Sequence, residues 1–154
     1  MVLPLPFAGG AEFRMNELPP MLQWPSAKLM GAEFVSFDQE SLTVEMAFTP
    51  PPGFANMRGH VQGGLLAGPV DEAMGAAVYF ATQGRLQLSL QIDISFLRPV
   101  AMDRLTVKAR AVKAGRRVSF VEAQLFDRGG TLCARATATS MTTEWPGQKQ
   151  GPDA

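Results

Sequence analysis

Residues 63–84 read GGLLAGPVDEAMGAAVYFATQG and pass directly into residues 85–99, RLQLSLQIDISFLRP; the change of period between the two decides the fold. From Leu65 to about Thr82 the chain is dominated by Ala, Met and Leu. It opens at Gly63-Gly64 and meets a natural stop at Gly84, a pattern that predicts a helix. Polar side chains are few in this run: Asp71, Glu72 and the Tyr79 hydroxyl. A helix with so little polar surface belongs inside a fold. Gly68-Pro69 interrupts it more than a turn past Gly64, which predicts distorted first turns or a later helix start. After Gly84, Leu86, Leu88, Leu90, Ile92, Ile94 and Phe96 alternate with Gln87, Ser89, Gln91, Asp93 and Ser95. That is the period of a strand, and Leu97-Arg98-Pro99 ends it.

Strands flank this unit on both sides. Met30–Phe37 and Ser41–Phe48 suit two short strands joined by a turn at Asp38-Gln39-Glu40, and Thr49-Pro50-Pro51-Pro52-Gly53 then forces a loop. Downstream, Thr and Val enrichment marks three more strands, at about 102–114, 117–127 and 131–143. Ala114-Gly115-Arg116 and Asp127-Arg128-Gly129-Gly130 supply their hairpin turns. The order is two strands, one buried helix and four strands. That is the α+β class, with a long helix wrapped by an antiparallel sheet of about six strands. The strand at 86–97 is a liability if it forms an exposed edge, and pairing with a second copy would cover it. A homodimer, or a dimer of dimers forming a homotetramer, is therefore expected. Residues 1–20, with Pro4, Pro6, Pro19 and Pro20, read as an irregular arm, residues 21–143 as the folded domain and residues 144–154 as a flexible tail.

Composition narrows the function. The 154 residues suit one domain. Fourteen Lys and Arg balance fourteen Asp and Glu, against a general nucleic-acid binder. One cysteine, Cys133, forms no intrachain disulfide, and with the one histidine, His60, it builds no N/S metal site. The N-terminus lacks a basic segment before its apolar residues, so no signal peptide is read there. No apolar run approaches the ~18–20 residues of a membrane span. A cytoplasmic protein without membrane partner, metal or cofactor is expected.

Asn56, then Gln62-Gly63-Gly64, then Asp71 nine residues after Gln62 form a spaced set that resembles the hotdog-fold acyl-CoA thioesterases, particularly their phenylacetate-type branch. That family carries Asn, His-Gly-Gly six residues later, and Asp or Glu nine residues after the His. The run Phe96–Val100 and the closing strand at Ala134–Thr139 are also similar to the family. The resemblance covers roughly residues 30–143, and Gln62 stands where the family has His. It implies a hotdog fold, an acyl-CoA substrate, the Gly63 N–H as oxyanion donor, and Asp71 as general base or nucleophile. It further implies that Asn56 orients position 62 or the thioester, and that Ser89, eighteen residues past Asp71, positions the water. In a hotdog dimer Asp71 and Gly63 would then act from different copies.

The residue chemistry is consistent with these roles and leaves plainer readings open. Gly63 and Gly64 precede a helix, so their N–H groups lack intrahelical partners and sit at the positive end of its dipole. Without side chains they let a thioester carbonyl approach. Asp71 is otherwise a helix cap or a solvated carboxylate, Asn56 a turn residue, Ser89 an ordinary polar-face residue and His60 a loop histidine. Glu72 points about 100° from Asp71 and reads as structural or as a support to the site residues. Gln62 keeps hydrogen bonding but cannot titrate. Arg116-Arg117 and Arg98 are candidates for the phosphates of coenzyme A, and solvated surface arginines otherwise. Met74, Tyr79 and Phe80 are core residues first and acyl-pocket residues second. Three functions fit: an acyl-CoA thioesterase, a non-catalytic acyl-CoA or lipid-binding hotdog protein, and, less well without a His at position 62, an acyl-thioester hydratase or dehydratase.

Overall fold

The computed structural model describes residues 24–144, so the arm at 1–20 and the tail from residue 145 lie outside the described residues. The elements run α1 (Pro25–Leu29), β1 (Glu33–Asp38), β2 (Thr43–Phe48), a 3-10 turn (Pro52–Phe54), α2 (Gly63–Ala81), β3 (Leu86–Phe96), β4 (Leu105–Ala114), β5 (Val118–Phe126) and β6 (Leu132–Thr143). The strands form one six-stranded antiparallel sheet in the order β1-β2-β4-β5-β6-β3. The expected α+β hotdog architecture is present, with α2 laid along the inner face of the sheet.

Apolar side chains at every second strand position build the core. Val44, Met46 and Phe48 of β2, Leu105, Val107 and Ala109 of β4, Val121, Ala123 and Leu125 of β5, and Ala134, Ala136 and Ala138 of β6 are all buried around α2. The helix contributes Leu66, Val70, Ala73, Met74, Ala77 and Val78, and Phe80 stacks on Phe37 at 4.9 Å between ring centroids. Its remaining side, carrying Asp71, Glu72 and Gly75, is only partly buried.

Four local expectations are corrected. The first strand starts at Glu33, not Met30, because Pro25 at the first helical position opens the short helix α1 and Gly31, at φ +59°, turns the chain out of it. The third-to-last strand begins at Leu105 because residues 102–103 bend, with the Asp103 carboxylate accepting from the Arg104 N–H. Pro69 does not delay α2: the helix runs unbroken through it from Gly63. Gly68 explains this, since the clash of a proline ring with the preceding Cβ is absent at glycine. Gly84 is not the left-handed residue that ends α2. Gln83 takes that role at φ +58°, donating to the Phe80 carbonyl, and the Gly84 N–H reaches back to the Tyr79 carbonyl at 2.8 Å, which closes a Schellman motif.

The fifth finding shapes the site. β3 does not alternate strictly. Ser89 pairs with Ser140 and Gln91 with Thr139, so Leu90 is an extra residue, a β-bulge. Side-chain parity reverses across it. Ile92 and Ile94 face the core on one side of the bulge; on the other, Gln87 and Ser89 face α2, and Leu88 turns outward, 55% exposed. β3 is an edge strand, its far side unpaired among the described residues.

Candidate active site

Between the Asp71 side of α2 and the first half of β3 lies a cleft of about 410 Å³, its lining including Asp71, Glu72, Gly75, Gln87 and Ser89. The Ser89 hydroxyl donates to Asp71 Oδ1 at 2.6 Å. The Gln87 amide Nε2 donates to Ser89 Oγ at 2.7 Å and to the same Asp71 Oδ1 at 3.3 Å. A carboxylate only accepts, so the serine proton points at Asp71 and a serine lone pair is left for the glutamine N–H. Each member thereby sets the orientation of the next. Both bonds converge on Oδ1. Oδ2 has no hydrogen-bond partner among the described residues and is the oxygen left to act.

Ser89 was foreseen from spacing; Gln87 was not. The available signal was its place two residues before Ser89, on the same strand face, but the bulge hid which face that was. Gln87 Oε1 is buried without a hydrogen-bond partner among the described residues, so the side chain gives up acceptor satisfaction to hold the other two groups.

Glu72 lines the same cleft as Asp71. Burial, and then the neighbouring Asp71 charge, push its carboxyl above the usual carboxylate range.

At the other end of the cleft wall stands the start of α2. Gln62 is its N-cap: Oε1 accepts from the Leu65 N–H at 2.9 Å. The Gln62 NH2 has no partner among the described residues. The Gly63 and Gly64 N–H groups precede the first helical bond, which Leu65 makes to the Gln62 carbonyl, and have no hydrogen-bond partner among the described residues. Phe96 covers Gly63, its ring 3.5 Å from where a Cβ would stand. Asn56 does not bond to Gln62. Its Oδ1 accepts from the Arg58 and His60 N–H groups at 2.9 and 3.2 Å, the turn role, because the loop 56–60 needs those donors satisfied. His60 forms a backbone bridge to Ala101. The Cys133 thiol is buried and donates to the Thr131 carbonyl, and burial pushes its pKa up, away from the reactive thiolate.

The predicted residues thus fall into two groups. Gly63 and Asp71 are eight residues apart on one straight helix, about 12 Å along its axis, too far to serve one carbonyl. The arginines divide similarly. Arg98 lies past the Phe96 end of β3, where it donates to the Leu132 carbonyl at 2.8 Å. Arg116 and Arg117 lie near the Leu86 end, their carbonyls accepting from Arg85 and from the Thr142 N–H. The eleven residues of β3 between them span about 36 Å.

A larger depression, about 520 Å³, crosses the outer sheet face near Arg110, Glu122 and Arg135. Its Arg110–Glu122 pair, at 2.8 Å, is exposed and solvated. No group of three or more His, Cys, Asp or Glu side chains able to hold a metal occurs among the described residues, and no helix there is long and apolar enough to cross a membrane.

Comparison with known proteins agrees with this fold. Residues 58–134 match the family model described as the thioesterase superfamily. A crystal structure of a phenylacetic acid degradation-related protein from Ralstonia eutropha JMP134 is 34% identical, covering 75% of this chain and 87% of that one, with a TM-score of 0.69. A protein of Saccharolobus solfataricus named “Putative esterase” is 26% identical over 125 residues, 81% of each chain. A thioesterase-type protein from Streptococcus pneumoniae TIGR4, solved with coenzyme A, is 24% identical, covers 73% of this chain and 86% of that one, and superposes with a TM-score of 0.65. With its helix-on-sheet fold and a family match spanning half its length, this chain belongs to the hotdog thioesterase superfamily.

Proposed function

We propose that this protein is an acyl-CoA thioesterase with Asp71 as its general base, working as a dimer in which each site is shared between two copies. The observation that carries the reading is the Asp71–Ser89–Gln87 set, which holds one carboxylate oxygen and leaves the other free in a cleft. The coenzyme A bound in a structural relative supports the choice of thioester carrier.

Asp71 Oδ2 takes a proton from water, and the water oxygen forms a bond to the thioester carbon. The carbonyl oxygen becomes an oxyanion held by the Gly63 N–H, where the helix dipole favours negative charge. The C–S bond then breaks. The sulfur leaves with the electron pair and takes the proton back from Asp71, giving a carboxylic acid and free thiol. Gln62 fits this scheme as a neutral residue: it caps the helix with Oε1 and has an NH2 beside the oxyanion donor.

A single chain cannot bring Gly63 and Asp71 together, but two copies can. Antiparallel pairing of two β3 edges about Gln91 sets Leu86 of one opposite Phe96 of the other. The Gln87–Ser89 end, and Asp71 with it, then lies beside the partner's Gly63. The same pairing brings Arg116 and Arg117 to the end that carries the partner's Arg98, where guanidinium groups suit the phosphates of coenzyme A.

Thiol release from aryl, short, medium and long acyl-CoAs is the direct test. Asp71→Asn keeps the acceptor for Ser89 and removes the base; turnover should fall by about 10²–10⁴-fold, the usual contribution of general base catalysis. Full turnover in that variant would refute the assignment. Tight acyl-CoA binding by the unaltered protein, without thiol release from any of them, would instead support the non-catalytic alternative.

A further inference from the structure

Four glycines lie in α2, and three of them have a visible reason. Gly63 and Gly64 occupy the first two positions, where the backbone must stay open. At Gly68 an added Cβ would stand 2.7 Å from Met30 Sδ, so the Met30 side chain would have to move to admit one. Gly75 is different. It sits in the helix interior, where glycine is unfavourable relative to alanine, and a Cβ built there meets no heavy atom of the described residues within 4 Å. Nothing in the packing of the described residues excludes a side chain.

Gly75 is four residues after Asp71 and therefore on the same helix face, about 6 Å farther along the axis. It lines the same 410 Å³ cleft as Asp71, with Leu86 opposite on β3 and Trp24 beyond. The polar groups stand at the Asp71 end, and apolar surface lies past Gly75. A volume of this size is in the lower range of small-molecule sites.

We propose that Gly75 is a specificity-determining residue: its missing side chain leaves a channel along α2 for acyl groups longer than acetyl, with the thioester at Asp71 and the acyl body lying over Gly75 toward Leu86 and Trp24. The proposal rests on the reading of the Asp71 cleft as the acyl site. An acetyl group ends before Gly75; an octanoyl group crosses it.

The test compares kcat/KM for octanoyl-CoA with that for acetyl-CoA in the full-length protein and in the variants Gly75→Ala and Gly75→Leu. One methylene in an apolar pocket is worth ten-fold or more, so the octanoyl-to-acetyl ratio should fall at least ~10-fold in Gly75→Leu and at least ~3-fold in Gly75→Ala. The alanine variant guards against misfolding of the larger one, since the backbone is helical and the space is empty; circular dichroism melting should show it at least as stable as the parent. A ratio unchanged in folded Gly75→Ala and Gly75→Leu, or an equal fall for both acyl groups, would overturn the proposal. Should the unaltered protein release no thiol, the hydrolase reading fails separately. Calorimetry with the same two acyl-CoAs then decides the role of Gly75, because the affinity ratio must fall in the same way.

Discussion

The shared site can be tested by complementation between two inactive variants. Gly63→Pro removes the oxyanion N–H and little else. Gly63 is the first helical residue, a position where proline is favoured. The preceding Gln62 already has φ −66° and ψ 131°, the extended conformation that a following proline demands. Losing one oxyanion donor costs about 10²–10³-fold in kcat, and Asp71→Asn costs at least as much. Mixing the two variants separates the geometries. If both groups acted from one chain, every site in the mixture would lack one of them. With Gly63 and Asp71 about 12 Å apart along α2, the proposed shared site instead takes one group from each copy. A mixed dimer then has one intact site, built from Gly63 of the Asp71→Asn chain and Asp71 of the Gly63→Pro chain, and one site lacking both. Random exchange at equal concentrations gives half mixed dimers, hence roughly one quarter of the unaltered activity for a two-fold dimer. The assay is thiol release after subunit exchange, with native mass spectrometry to count mixed dimers. Mixed dimers that form but stay at parental activity would refute the shared site.

Ser89→Ala removes a 2.6 Å bond to a charged oxygen, worth about 1.5–3 kcal/mol, so kcat should fall by about 10- to 150-fold. Because Gln87 acts largely through Ser89, Gln87→Ala should cost much less in the Ser89→Ala background than in the parent; full additivity in the kinetic cycle would show that the two act separately. Glu72 makes stability pH-dependent. Its folded pKa is raised, so the folded state holds a proton that the unfolded chain has already released above its ordinary pKa of 4.5. Its contribution is therefore favourable at low pH and is lost as pH rises through the folded value. Glu72→Gln should match the parent melting temperature near pH 4 and exceed it at pH 7; a pH-independent difference would contradict the burial argument. Gln83→Gly replaces a side chain at φ +58° and should stabilise the protein by about 1 kcal/mol in urea unfolding, whereas an unchanged midpoint would mean that the left-handed turn costs nothing there.

The helix, the six strands and their antiparallel arrangement were legible because most of them are long and strongly periodic. The candidate site was legible only as spacing: Asp71, Gly63 and Ser89 stand where the family pattern puts them. What was illegible has one main physical cause. Periodicity treats Leu86 to Phe96 as a single alternating strand, and a bulge is a local insertion that leaves the residue pattern almost intact. The period therefore placed Ser89 and Gln87 with Asp93 and Ser95, on the outer face, when the chain turns them toward α2. The shared cleft of Asp71 and Glu72 was illegible for a related reason. A 100° offset from Asp71 separates two residues on an isolated helix, but the strand beside α2 is close enough for both to enter one cleft. Pro69 misled because the rule for proline was applied without the glycine before it.

The replacement of the family histidine by Gln62 takes on a different weight once its atoms are placed. The side chain is already committed through Oε1 to the Leu65 N–H, so the task fixed at this position is capping the helix that presents Gly63. Capping needs an acceptor of the right reach, and an amide oxygen provides it as well as an unprotonated ring nitrogen does. Removing histidine removes titration near neutral pH but keeps the hydrogen bond that holds the oxyanion donors in place. On the proposed mechanism the proton-transfer role then falls entirely on Asp71, in keeping with a carboxylate held by two side-chain donors on one oxygen while the other is left open to the cleft. The departure from the family pattern and the Asp71–Ser89–Gln87 set are thus two sides of one arrangement: a neutral donor end at Gly63, and a single proton acceptor at Asp71 whose orientation the β3 bulge makes possible.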